Sequence, residues 1–147
     1  FFILIIFIFY FFKKNNFILP FLITILGTGI TTLIIKNLVN RNRPGDHISL
    51  YSEIGASFPS AHSSLTLALF GFLICFVWYS NFSSISGRNL IIKIVGTITL
   101  ITPIFLVGFS RLYLGVHFLT DIIGGYLIGL VWLLIAIYIF LKYIKRQ

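Results

Sequence analysis

Four long apolar runs constrain this chain more than any other feature. They cover residues 17–35, 62–79, 90–109 and 118–141, and each has roughly the 18–25 residues that a spanning helix needs. A fifth run, "FFILIIFIFYFF" at 1–12, reaches only about 18 Å as a helix, short of the ~30 Å hydrocarbon core. No small-residue cleavage site follows it, which argues against a signal peptide. It reads as the tail of a truncated membrane helix. The chain starts at Phe1 and contains no methionine, which agrees with a processed chain or a fragment. The expected architecture is one membrane-embedded, all-α helical bundle over residues 1–147.

Composition agrees. Charged residues make up 10% of the chain, against about 25% in a soluble domain. The net charge of +8 comes from 11 Lys and Arg against 3 Asp and Glu. Such a chain could attract nucleic acid, but its cations sit at the ends of apolar runs, so no nucleic-acid partner is expected. Cys75 is the single cysteine and lies inside an apolar run. It reads as core packing, with no internal disulfide or metal cluster.

Spanning segments alternate sides. One side then holds Lys13, Lys14, Arg88, Lys93, Lys142, Lys145 and Arg146, and the other Lys36, Arg41, Arg43 and Arg111. The side with seven cations is expected to be cytoplasmic. The four opposite cations need another reason to be there. The long polar loop "NRNRPGDHISLYSEIGASFPS", the start of the second run and the stretch "SRLYLGVHFLTD" all fall on that outer face. Three polar clusters can therefore converge.

The first cluster is "KNLVNRNRP". Lys36 and Arg43 are seven apart, so they share a face if the helix continues that far. Pro44 stops it, and favours extended backbone at Arg43. Snorkelling at the membrane boundary would account for the same pair. The second cluster is "FPSAHSS", where Pro59 and the serines mark a helix start. Its free N–H groups suit an anion, with Ser60 and Ala61 as donors and His62 on the first turn able to exchange a proton. An ordinary capped helix with an interfacial histidine is the alternative. In the third cluster His117 and Asp121 are four apart, one helical turn. A carboxylate on one imidazole nitrogen makes the other more nucleophilic. Arg111 precedes them and offers a planar fork suited to phosphate. A structural His–Asp pair between helices is the competing reading.

His62, His117 and Asp121 would also make a two-histidine, one-carboxylate metal set. Lys36, Arg43 and Arg111 would place three cations beside it, and those charges suit an anion instead. The site is expected to take phosphate without a metal.

Together the clusters resemble the signature of the type 2 phosphatidic acid phosphatase superfamily. K-x6-R-P is Lys36 to Pro44, P-S-G-H appears as Pro59, Ser60, Ala61 and His62, and S-R-x5-H-x3-D runs complete from Ser110 to Asp121. The resemblance implies a membrane bundle with six spans in the family core, of which the N-terminal part is missing or truncated here. It implies a lipid phosphatase of the cell membrane, acting at the outer face without a cofactor on a phosphate or diphosphate carried by a lipid. It also implies roles. His117 would attack phosphorus and form a phosphohistidine, Asp121 would orient it, and His62 would protonate the leaving oxygen and then activate water. Lys36, Arg43, Arg111, Ser60 and the amide of Ala61 would hold the phosphoryl oxygens. Ala61 replaces the usual glycine, which matters only if that position needs positive φ; a helical backbone is expected. A transporter lined by these charges, or a catalytically inactive lipid-phosphate-binding relative, are the alternatives. Oligomeric state and the particular lipid are not legible. Two further features concern packing alone. Gly125 and Gly129 form a GxxxG in the last run, read as close packing within the chain, and Pro103 is expected to kink the third full span.

Overall fold

A computed structural model describes residues 2–11, 13–44, 55–79 and 87–144. The middle of the long loop (45–54) and most of the turn before the third full span (80–86) lie outside the described residues.

Every regular element among the described residues is helical. Helix α1 covers Phe2–Phe11, α2 Ile18–Val39, α3 Ala61–Tyr79, α4 Gly87–Tyr113 and α5 Leu119–Ile144, with a single 3-10 turn at Asn15–Phe17 before α2. Among the described residues, four stretches are long and apolar enough to cross a membrane: Asn15–Val39, Ala61–Tyr79, Leu90–Tyr113 and Leu119–Lys142. The chain is an integral membrane protein.

Two helices run past the ends expected from hydropathy. Helix α2 continues to Val39 and α4 to Tyr113, so Lys36 and Arg111 stand on last turns rather than in connections. A cation near a helix C-terminus is favoured by the helix dipole, so the first charge marks the end of the hydrocarbon and not of the helix. Pro20 sits in the first turn of α2, where its missing N–H is no loss. Asn40 ends α2 in the left-handed conformation (φ 42°), its N–H on the Lys36 carbonyl at 3.0 Å. The condition for a shared helix face of Lys36 and Arg43, a helix continuing that far, is therefore not met. Helix α4 continues through Pro103 as one element.

Helix α3 packs most closely against α5, with α2 against both and α4 along α3. Lipid is as apolar as leucine, so tight contact between spans depends on small residues and polar ties. The α3–α5 seam has both. A Cβ on Gly125 would lie 2.5 Å from the Ser60 carbonyl, and one on Gly129 2.5 Å from the Ser64 carbonyl. The GxxxG thus packs within the chain. Helix α2 turns Thr24, Thr28 and Thr32 inward, all buried, and Thr32 shares a hydrogen bond with Ser64 of α3 at 3.0 Å. Trp132 of α5 donates to Thr31 of α2 at 2.9 Å. Gly108 lets Tyr126 of α5 approach α4, where its hydroxyl donates to the Ile104 carbonyl at 2.5 Å. The outward faces stay apolar: Leu26, Ile30, Ile98, Phe105, Val131 and Leu134 are exposed.

The aromatic core lies at one end. Phe9 packs against Phe17, Phe21, Phe72 and Phe76 with ring centroids 4.9–6.2 Å apart. The motif residues gather at the other end, where α2 and α4 finish and α3 and α5 begin. Gly125→Ala tests how firmly the seam holds that end. The new methyl meets backbone rather than a movable side chain, so a loss of about 1–3 kcal/mol is expected, read as a lower melting temperature in detergent than the wild type.

Candidate active site

Asp121 organises the site. It is the third residue of α5 and fully buried. A buried carboxylate needs donors on both oxygens, and both have them. Oδ2 accepts the N–H of Phe118, the residue before α5, at 2.9 Å. This is the reciprocal half of a capping box, with negative charge at the helix start. Oδ1 accepts Arg41 NH1 at 2.9 Å. The Asp121 backbone carbonyl accepts the Ser60 N–H at 3.0 Å, which joins the starts of α5 and α3.

His117 lies in the bend before α5, four residues before Asp121 and not on a shared helix as the spacing suggested, and is 4% exposed. Its Nδ1 is 3.4 Å from Asp121 Oδ2, and its Nε2 is 3.3 Å from Arg43 NH1. The ring is held between a carboxylate and a guanidinium. A carboxylate facing Nδ1 favours the neutral tautomer protonated there, which leaves the Nε2 lone pair toward Arg43. The turn that carries His117 depends on Gly115, at φ 67°, in the left-handed region that glycine enters without strain. There the Gly115 N–H closes α4 on the Leu112 carbonyl at 2.9 Å.

Arg43 reaches the same place from the segment after α2. Its Nε donates to the Gly55 carbonyl at 2.9 Å and its NH1 to the Val116 carbonyl at 3.0 Å. Lys36 donates to the Ala56 carbonyl, which Arg43 NH2 also meets at 3.5 Å. Lys36 and Arg43 converge, but through the carbonyls of residues 55–56 instead of a shared helix face. Ser57 fixes this segment: its N–H donates to the Arg41 carbonyl at 2.8 Å and its hydroxyl to the Asn42 carbonyl at 3.0 Å.

The remaining expected residues surround this centre. Ser60 is fully buried and starts α3: its hydroxyl accepts the Ser63 N–H at 3.4 Å, and its own N–H is on Asp121. Its hydrogen-bonding groups therefore cap α3 and tie it to α5. Ala61 opens α3 and is not among the positive-φ residues, so the backbone there makes no demand for glycine. His62 is exposed on the first turn, at the head of an open groove of about 250 Å³ lined by Ala61, Leu65, Thr66 and Leu69. Arg111 is half-buried, with Nε on Ser110 Oγ at 3.4 Å, and its carbonyl accepts the Val116 N–H at 3.3 Å. Direct side-chain contacts thus join Arg43, His117 and Asp121. Backbone bonds tie Ser60 to Asp121 and Arg111 to Val116, and His62 follows Ser60 on the first turn of α3.

The chain as a whole has known relatives. A family model described as the PAP2 superfamily matches residues 17–145. The chain belongs to the PAP2 superfamily. It is 32% identical over 110 residues to phosphatidylglycerophosphatase B of Bacillus subtilis (strain 168), covering 74% of this chain and 51% of the relative. It therefore spans about half the length of that PAP2 protein. Its fold matches the crystal structure of a transmembrane PAP2-type phosphatidylglycerolphosphate phosphatase from Bacillus subtilis, with a TM-score of 0.77 and 28% identity over 91% of this chain and 63% of that one. It also matches LpxE of Aquifex aeolicus, with a TM-score of 0.70 and 22% identity over 91% of this chain and 74% of that one. The second match shows the shared PAP2 fold alone.

Arg41 was not singled out from the sequence beyond its place among the outer-face cations. Its partner is 80 residues away, and no local pattern links the two. The signal that existed was indirect: a carboxylate expected among apolar helices needs a cation, and His117 alone does not supply a permanent one.

Proposed function

We propose that this protein hydrolyses a phosphomonoester or diphosphate carried on a membrane lipid, without a metal, through a phosphohistidine. The observation that carries the reading is the placement of His117, with Nδ1 toward Asp121 and Nε2 toward Arg43. Nε2 attacks phosphorus as the P–O bond to the lipid breaks. His62 gives a proton to the leaving oxygen. Water then attacks the phosphohistidine, His62 takes its proton, the P–N bond breaks and phosphate leaves.

Phosphoryl transfer rests on positioning and on cations that stabilise spread charge. Lys36, Arg43 and Arg111 supply the charge, and the backbone N–H of Ala61 at the start of α3 supplies a further donor. Ser60 contributes to phosphate binding by fixing that amide. The charge bias of the connections supports a non-cytoplasmic position for this end, and the plasma membrane is the expected location. A lipid headgroup reaches the site there while its tails stay in the bilayer. The relatives named for phosphatidylglycerophosphate make that lipid the first substrate to try.

The test is phosphate release in detergent with a chelator present, comparing phosphatidylglycerophosphate, phosphatidate and a polyprenyl diphosphate. Release from at least one of them is expected. No release from any, or release only when a divalent metal is restored, would sink the reading.

A further inference from the structure

Arg41 belongs to none of the three motifs, yet it touches the site more closely than several residues that do. Its NH1 donates to Thr120 Oγ1 at 2.6 Å and to Asp121 Oδ1 at 2.9 Å. Its guanidinium carbon stands 4.1 Å from the centre of the Phe118 ring, within the range of a cation–π contact. One side chain from the segment after α2 thus holds three residues at the start of α5. The backbone of Arg41 is held as well, because its carbonyl accepts the N–H of the buried Ser57 at 2.8 Å.

Asp121 has two oxygens with different duties. Oδ2 faces His117 and Oδ1 faces Arg41. The Asp121 side chain is 0% exposed and that of Arg41 38%, so the carboxylate is cut off from water and the guanidinium reaches it. Without the guanidinium on Oδ1, the buried carboxylate turns toward other donors. That turn takes Oδ2 away from His117 Nδ1.

We propose that Arg41 is a positioning residue for the phosphoryl transfer: it holds the Asp121 carboxylate turned toward His117, and through Asp121 holds the nucleophile in its reactive tautomer. This rests on the reading of His117 as the nucleophile. The competing role is direct contact with a second anionic group of the substrate, since part of the Arg41 side chain is open at the mouth of the site.

The experiment is single-turnover and steady-state lipid phosphate hydrolysis in detergent by the wild type, Arg41→Met, Arg41→Lys, Asp121→Asn and the double variant Arg41→Met/Asp121→Asn. Arg41→Met is expected to lower kcat about 10- to 100-fold, the range for outer partners of functional histidines at metal sites, with KM within about twofold. Arg41→Lys recovers most of that loss. In the Asp121→Asn background the Arg41 substitution costs less than about twofold more, because two residues acting through one another are non-additive. If Arg41→Met does not fold, the double variant no longer buries an unpaired carboxylate, and its comparison with Asp121→Asn decides the matter. A raised KM with unchanged kcat would overturn the proposal in favour of substrate contact. A double variant slower than Asp121→Asn by the full factor of the single would overturn it as well. An inactive wild type defeats the phosphatase reading itself, whereas an active wild type with a normal Arg41→Met defeats only this proposal.

Discussion

Replacing His117 with alanine is expected to abolish phosphate release, with kcat falling at least about 10⁴-fold, as for other enzymes that lose their nucleophile. No neighbour can stand in for it. Arg43 is a cation, Asp121 has both oxygens engaged, and His62 lies on another helix. The cations proposed to bind phosphate remain in His117→Ala, so affinity for a lipid phosphate is expected to persist while chemistry stops. Two measurements read this. Phosphate release is followed in detergent against the wild type, and the covalent intermediate is trapped from radiolabelled substrate by alkaline quench. Wild-type protein carries label on one histidine and His117→Ala carries none. A variant that keeps the wild-type rate, or the label, defeats the mechanism.

The second large effect belongs to His62. Its proposed work is proton transfer in both steps, which contributes about 10²–10⁴-fold. His62→Gln is therefore expected to lose that much on a lipid substrate, whose alkoxide leaving group needs a proton. The loss depends on the leaving group. With p-nitrophenyl phosphate the first step needs no proton donor, so the variant still phosphorylates His117 and stalls there. A burst of nitrophenol equal to the enzyme concentration, followed by slow turnover, is the signature. Equal losses on both substrates and no burst would remove His62 from the acid–base role. The exposed position of His62 favours a clean outcome, since replacing an exposed side chain disturbs packing little.

Much of the bundle was legible because its signals are local. Hydropathy marked the spans, and errors arose at their ends, where Lys36 and Arg111 ride on last turns. Those cations suit the helix dipole, a favourable effect that hydropathy does not register. Arg43 lies in non-helical backbone, as the proline after it suggested, but Asn40 ends α2 four residues before Pro44, and one asparagine able to adopt positive φ is a weak signal beside a proline. The GxxxG was legible as a packing device, but only the fold shows that Gly125 and Gly129 meet the backbone of α3.

The sequence by itself determined that this chain is a helical membrane protein, which end of it carries the polar chemistry, and the family whose motifs it holds. Each follows from residue type and spacing along one strand of polypeptide. Tertiary structure alone decided how Asp121 is paired. Arg41 and Ser60 meet it from segments 80 and 61 residues away, and His117 lies between Asp121 and Arg43 only once Arg43 is held on the carbonyls of Gly55 and Val116. Such contacts depend on how closely helices approach, and glycines at the seam set that distance. A buried charge must find its partner in space, and spacing along the chain does not say which cation it will be.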